Sequence, residues 1–289
     1  MVLDETKYIF LEPSQDNYIT NLINSLAQID KAKIHQFCQS IDGTNGLVRA
    51  YRKAIEVFTS FMNIYPNVLP AETYMSFKNK DNDNKCIATC SLSDIKTFYQ
   101  DAYESLLSLL YIPVCLDNIV IRSDFQQFDS RYDDVNHGRG TRNINDYLKL
   151  DNGTRINKLD TSEYFQGVIA IPANRSLRNG IGHNNINYDG ISQIITAYDL
   201  KQPGRITSRL TLMEMAIDCI GLTRSAVIIS EIILFMMRDE FRLDNISTLI
   251  HPHLYKKAEP NMKCPCGSNL KYKKCCRNAY NSLECSTGN

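Results

Sequence analysis

The sequence lacks the features that identify several large classes of protein. Its 289 residues carry equal numbers of positive and negative side chains, so the formal net charge is zero, and overall charge does not indicate a nucleic-acid binder. It contains no internal repeat and no glycine-rich phosphate loop. No signal peptide is expected, because acidic residues already occur at Asp4 and Glu5 and no apolar core segment lies near the start of the chain.

A long apolar run without charges, which a membrane span requires, is also missing. The most apolar stretch, residues 210–237, includes four charged residues: Glu214, Asp218, Arg224 and Glu231. This pattern favours a buried helix over a membrane span, so we expect a cytoplasmic protein that does not bind membranes. In a reducing cytosol, the ten cysteines are expected to bind metal or fill the core instead of forming disulfides.

Apolar residues recur at helical spacing along most of the chain, which predicts an all-α fold: a multi-helix bundle. Ser91 is suited to cap one helix and Asp189 another. Pro66 is expected to end a helix. The predicted helices cover about residues 15–37, 48–65, 92–112, 190–198 and 209–241, the last being the longest.

The composition divides the predicted fold into parts. Residues 1–245 form the helical domain, and within it residues 123–160 form a polar insertion without a helical period. A structureless loop of that length is unusual inside a compact domain. Residues 246–260 are a predicted linker, residues 261–280 a small zinc module and residues 281–289 a disordered tail.

Four cysteines are concentrated near the C-terminus, in the pattern Cys264-x-Cys266, eight residues, Cys275-Cys276. Two closely spaced thiolate pairs can complete a tetrahedral zinc site, and a site with four protein ligands is structural, not catalytic. The alternative, a chance cluster of free thiols, is less favoured. Residues 254–278 contain seven basic side chains and one acidic side chain, so this region stays basic with zinc bound.

The run from Cys264 to Cys276 closely resembles the SEC-C motif, the zinc-binding tail of the motor ATPase of protein secretion, which also ends many unrelated bacterial proteins. The resemblance implies structural zinc and docking to a protein, to RNA or to the ribosome. Its basic residues are candidates for substrate binding: Lys271, Lys273 and Lys274.

A second candidate site combines arginine, asparagine and histidine. If residues 174–183 are helical, Arg175, Asn179 and His183 are four residues apart and share a face, with Arg178 on its flank. Histidine can transfer a proton at physiological pH, and arginine can stabilise a phosphorane. RNA cleavage through the 2′-hydroxyl needs only such groups and no metal. Gly180 and Gly182 are expected to let a phosphate approach the backbone. By spacing alone, a structural histidine at a helix end is the favoured interpretation.

The run Leu177–Ile186 resembles the signature of HEPN domains, all-α bundles common in prokaryotic toxins and antiviral systems. The resemblance rests on Arg178, Asn179 and His183 and implies a metal-independent endoribonuclease that works as a homodimer. His183 is then the general acid or base, Arg178 the phosphorane-stabilising group and Asn179 an orienting group. Arg175 is a candidate substrate clamp.

Two other functions remain open. One is a non-catalytic helical adaptor that binds a partner through the zinc module. The other is a metal-dependent hydrolase that uses acidic residues of the polar insertion: Asp129, Asp133 and Asp134.

Overall fold

The structure is a computed structural model that describes residues 13–76, 86–130, 133, 140–151, 155, 165–168, 174–243, 259–264, 270–275 and 277. These residues form a mostly helical protein with one small antiparallel sheet. The helices are α1 (Pro13–Ala27), α2 (Lys31–Ser40), α3 (Gly43–Met75), α4 (Leu92–Leu109), α5 (Tyr111–Arg122), α6 (Ile144–Leu148), α7 (Arg175–Gly182) and α8 (Leu212–Leu243). The strands are β1 (Ile186–Asp189), β2 (Ile194–Tyr198) and β3 (Ile206–Thr211), and short 3-10 turns cover Gln166–Val168 and Tyr272–Lys274.

The first predicted helix is two helices, because Asp30 interrupts it. Asp30 is the N-cap of α2, and its carboxylate accepts a hydrogen bond from the backbone N–H of Ala32 at 2.9 Å. An N-cap residue has a non-helical backbone, so the chain turns at this point.

Pro66 does not end α3, contrary to the sequence prediction. The helix contains both Pro66 and Pro70 and continues to Met75. Val68 and Ala71, which follow Pro66, are completely buried. Burial of apolar side chains on both sides of the proline offsets the hydrogen bond that a proline removes from a helix.

Helix α8 lies at the centre of the fold and packs on α3 and α4. Every residue from 219 to 230 is buried, including the charged residue Arg224. Two helical stretches, Leu92–Arg122 and Leu212–Glu240, are apolar and long enough to cross a membrane by composition, but 67% and 89% of their most apolar windows lie inside the protein. The central helix of a folded core has the same composition, so these stretches are weak evidence for a membrane span.

The all-α prediction is wrong for residues 186–211, which form the sheet. β2 pairs with both neighbours in the order β1-β2-β3. Asp189, the expected helix cap, instead ends β1, and its carboxylate accepts hydrogen bonds from Ile191 and Ser192 in the turn that follows. Burial alternates along β2, where Ile195 and Ala197 are buried, and this two-residue period is that of a half-buried strand. The segment that contains Pro203 and Gly204 joins the strands β2 and β3.

Thr211 separates β3 from α8, so the long helix begins three residues later than predicted. The backbone N–H of Thr211 donates to the Glu214 carboxylate at 2.7 Å, and the Thr211 hydroxyl accepts from the Glu214 N–H at 3.2 Å. This reciprocal pair is a capping box, which fixes a helix start.

Part of the polar insertion belongs to the core. Four of its apolar residues are buried there: Phe125, Ile144, Tyr147 and Leu150. The rings of Phe128 and Tyr147 stack with centroids 5.5 Å apart. The described residues of the insertion therefore include α6 and its apolar contacts, which the polar composition did not predict.

Candidate functional site

The candidate site is built on the short helix α7, so the helix assumed for residues 174–183 is present over Arg175–Gly182. Asn174 is the N-cap, and its side-chain oxygen accepts a hydrogen bond from the backbone N–H of Leu177 at 2.9 Å. The side-chain amide of Asn174 also donates to the hydroxyl of Ser208 at 2.8 Å. One residue therefore both starts the helix and ties it to β3.

Gly180 lets α7 pack directly on the sheet. A Cβ at this position would lie 2.9 Å from the Cβ of Ala197 and 2.9 Å from a methyl group of Ile186, which is closer than van der Waals contact allows. The expectation that Gly180 opens the backbone to a phosphate is therefore wrong, since the sheet already occupies that side. Gly182 is exposed, and the nearest atom to a Cβ there is the side-chain nitrogen of Gln100 at 3.6 Å.

Arg178 is held by two acceptors. Its Nη1 donates to the side-chain oxygen of Asn179 at 2.9 Å, and its Nη2 forms an ion pair with Oε1 of Glu104 on α4. The Arg178 side chain is 25% exposed and that of Glu104 is 39% exposed. The guanidinium is thus fixed at the junction of α4 and α7, and it does not turn toward the face that carries Arg175 and His183.

Arg175 lies on the more exposed side of α7. Its guanidinium is 3.6 Å from the Asp151 carboxylate, and both side chains are largely exposed, at 58% and 43%. An ion pair with this exposure contributes little to stability. The ion pair with Asp151 therefore holds Arg175 only weakly, and its role as a substrate clamp stays a prediction.

His183 follows the last residue of α7 and is exposed. Its backbone N–H donates to the carbonyl of Asn179 at 3.0 Å, which continues the helical pattern. Arg178 and His183 are five positions apart in the sequence, so at about 100° per residue their side chains leave the helix about 140° apart. Within one chain, α7 therefore directs the arginine toward α4 and the histidine toward solvent.

Tyr103 forms the buried floor beneath the two arginines. Burial raises the pKa of its hydroxyl, and the positive charge of Arg178 partly opposes this shift, with a smaller contribution from Arg175. Glu104 acts in the opposite direction on the pKa of Tyr103. The Tyr103 hydroxyl is consequently neutral at physiological pH, and the residue belongs to the buried core.

Sequence reasoning missed the contribution of α4, which supplies Gln100, Tyr103 and Glu104. Gln100 and Glu104 are one helical turn apart, and they face Gly182 and Arg178, which are also one turn apart. The only local signal was a pair of polar residues at the edge of an apolar stripe. Such a pattern does not indicate which distant helix these residues will meet.

The C-terminal cysteine region contains two short arms, residues 262–264 and 270–272, that pair in antiparallel orientation. Lys263 and Lys271 pair, the Cys264 N–H donates to the Leu270 carbonyl at 2.7 Å, and the Tyr272 N–H donates to the Met262 carbonyl at 2.9 Å. Cys264 is buried, and Cys275 follows the 3-10 turn directly. Cys266 and Cys276 lie outside the described residues.

The positions of the two described cysteines, Cys264 and Cys275, are compatible with a set of zinc ligands. Cys264 lies on the first arm, and Cys275 lies just beyond the second arm. One thiolate pair on each arm is the arrangement that a tetrahedral zinc ion requires. Exposed lysines flank the second arm: Lys271, Lys273 and Lys274. Their charge favours the thiolate form of the cysteines.

The acidic residues proposed for a metal-dependent hydrolase have local structural partners. Asp129 pairs with Arg122 at 2.8 Å, and the Asp133 carboxylate accepts from the Thr141 N–H at 3.0 Å. Asp134 lies outside the described residues. Among the residues that the structure describes, no three His, Cys, Asp or Glu side chains are grouped to hold a metal ion.

Comparison with known families finds a SEC-C motif at residues 261–278, which include all four cysteines of the predicted zinc site. SEC-C is a zinc-binding type of motif, so the first sequence resemblance is confirmed over this short region. Neither the curated proteins nor the solved structures contain a match to the chain.

Proposed function

We propose that the protein is a HEPN-type endoribonuclease that cleaves RNA through attack of the 2′-hydroxyl, in bacterial toxin or antiviral defence. The observation that carries this proposal is the arrangement of Arg178-Asn179-x3-His183 on α7. The arginine is fixed by Asn179 and Glu104, and the histidine is exposed at the helix end. The HEPN resemblance itself rests on this motif.

The chemistry assigns one role to each group. His183 removes a proton from the 2′-hydroxyl or donates one to the leaving oxygen. Arg178 stabilises the charge that develops on the pentacovalent phosphorus, because hydrogen-bond donors fixed in advance need no reorganisation in the transition state. Arg175 binds a neighbouring phosphate of the RNA, and the zinc module supplies further positive charge for RNA or ribosome docking.

A second copy of the chain supplies what one copy lacks. Cleavage needs two proton transfers, and one histidine cannot perform both in a single step. Since Arg178 and His183 leave α7 about 140° apart, a single chain does not present both to one phosphate from the same helix face. A homodimer with a two-fold axis near α7 would give two arginines and two histidines in one cleft.

Purified protein tested with RNA decides the proposal. Wild-type protein is expected to cleave RNA in the presence of a chelator mild enough to leave the structural zinc in place, and Arg178→Ala and His183→Ala are expected to abolish cleavage. Overexpression should slow growth, and the same two substitutions should relieve it. Absence of cleavage in molar excess of protein, or full activity of His183→Ala, contradicts the proposal.

A non-catalytic adaptor is the second candidate, and the SEC-C match at residues 261–278 favours it, because this module serves docking in proteins of unrelated function. An adaptor requires the cysteines and not the histidine. If Cys264→Ser removes the biological effect of overexpression while His183→Ala keeps it, the adaptor is correct.

A further inference from the structure

We propose that Glu104 is the positioning residue of Arg178, so that α4 is the second wall of the cleavage site. This inference rests on the proposed function, since it assigns a role in the same reaction. Glu104 does not touch the RNA in this scheme. It acts through the arginine, whose orientation decides whether its N–H groups meet the phosphorane.

The Arg178 guanidinium has two side-chain contacts. Arg178 donates from Nη1 to Asn179 and forms an ion pair from Nη2 with Glu104, and two partners at the two ends of a planar fork fix its plane. Asn179 alone is a neighbouring residue on the same helix and leaves the plane free to rotate. The contact from α4 is therefore the one that defines the direction of the remaining N–H groups.

The register of α4 against α7 aligns two pairs of residues. Glu104 and Gln100 are spaced by one turn on α4 and meet Arg178 and Gly182, spaced by one turn on α7. Gly182 leaves the space beside Gln100 open. These α4 side chains therefore face the side of α7 that carries Arg178 and Gly182.

The ion pair between Glu104 and Arg178 is partly exposed to solvent. The side chains of Glu104 and Arg178 are partly exposed, at 39% and 25%, so the net contribution of their ion pair to folding stability is small. A positioning role does not depend on that stability. Displacing a transition-state donor by about 1 Å can reduce a rate by about a hundredfold.

Loss of the ion pair should therefore affect the rate of cleavage more than the folding of the protein. Glu104→Ala should lower kcat by about 10- to 100-fold and change KM little, because the guanidinium remains charged but loses its direction. Glu104→Gln keeps an oxygen that accepts from Nη2, so its kcat should recover to within about threefold of the wild-type value. Asp101→Ala is the matched control, since Asp101 is exposed on the same helix and should leave kcat unchanged.

A second measurement makes the result independent of turnover. Nitrogen NMR of arginine side chains, with the Arg178 signal assigned by its loss in Arg178→Lys, should show slow guanidinium rotation in the wild type and fast rotation in Glu104→Ala. Circular dichroism melting should place the three variants within a few degrees of the wild type.

The outcomes separate this proposal from the function on which it rests. If wild type cleaves RNA and Glu104→Ala cleaves equally well, the positioning role is wrong and the ribonuclease remains. A loss in Glu104→Ala that Glu104→Gln does not restore likewise contradicts positioning, and so does unchanged guanidinium rotation. If wild type does not cleave while Arg178 rotation responds to Glu104→Ala, the ion pair is real but the proposed function, and with it the catalytic role of Glu104, is overturned.

Discussion

Gly180 lies against Ala197 so closely that a Cβ on Gly180 would be 2.9 Å from the Cβ of Ala197. The helix that carries the Arg-Asn-His motif and the sheet that supports it are therefore in contact through a position without a side chain. Asn174 and Ser208 join the same two elements by a hydrogen bond of 2.8 Å. The orientation of the candidate site thus depends on how tightly α7 packs on β2.

Gly180→Ala should destabilise the protein by about 1–3 kcal/mol, the usual cost of adding a methyl group to a packed interface. The measurement is the free energy of unfolding from denaturant titration. Gly182→Ala is the matched control, since a Cβ there has no atom closer than 3.6 Å and alanine is the better helix residue. It should be neutral or stabilising by up to about 1 kcal/mol. Equal losses in both variants would contradict the packing role of Gly180.

Asp218 makes the stability of the core depend on pH. Burial, with a smaller contribution from Glu214, raises the pKa of Asp218 from 3.8 to about 7. In the unfolded chain this carboxyl is already ionised above pH 4, so folding becomes less favourable as pH rises from about 4 to 7, and the penalty is constant above that window. Asp218→Asn should therefore stabilise the protein at pH 8 by at most about 4 kcal/mol and leave it unchanged at pH 4.

Thermal unfolding of wild type and Asp218→Asn at pH 4, 6 and 8 checks this dependence. Asp101→Asn, at an exposed position, is the control and should not alter the pH profile. A difference between Asp218→Asn and wild type that does not grow with pH would show that Asp218 is solvated in the folded protein.

Local sequence signals predicted a substantial part of this molecule. The apolar period identified α4, and the capping residue Ser91 is in place, with its backbone N–H bonded to Asp94 at 2.7 Å. The same method failed for β2, because the adjacent residues Ile194 and Ile195 fit a helical face as well as a strand. Periodicity over five residues cannot separate the two.

The pairing of Glu104 with Arg178 has no local signal at all. More than seventy residues separate the two in the sequence, and an exposed glutamate beside an apolar stripe has the same pattern whether or not it meets a partner. Only the docking of α7 on α4 brings them together. The motif residues of the candidate site were therefore predictable, whereas the residue that orients them was not.

The C-terminal cysteines should hold one zinc ion per chain. Metal analysis of purified protein by mass spectrometry is expected to find zinc at a ratio near one, and Cys264→Ser should lose it, because three remaining ligands bind far more weakly than four. Cys86→Ser is the matched control, since Cys86 is exposed and lies outside the motif. Full zinc content in Cys264→Ser, or none in wild type, would contradict a zinc site at residues 261–278.

The lysines of the same module should determine how RNA binding depends on salt. Lys271, Lys273 and Lys274 are exposed around the 3-10 turn, and each contact between a lysine and a phosphate releases counterions when RNA binds. For single-stranded RNA, each contact contributes about −0.7 to the slope of log K against log salt concentration. Replacing all three by alanine should therefore reduce the magnitude of the slope by about 2, as measured by fluorescence anisotropy from 50 to 300 mM salt with His183→Ala protein to prevent cleavage. The triple substitution to arginine preserves the charges and should keep the slope, which distinguishes loss of phosphate contacts from damage to the module. An unchanged slope in the alanine variant would mean that RNA does not bind at the zinc module, and that its lysines face a protein partner instead.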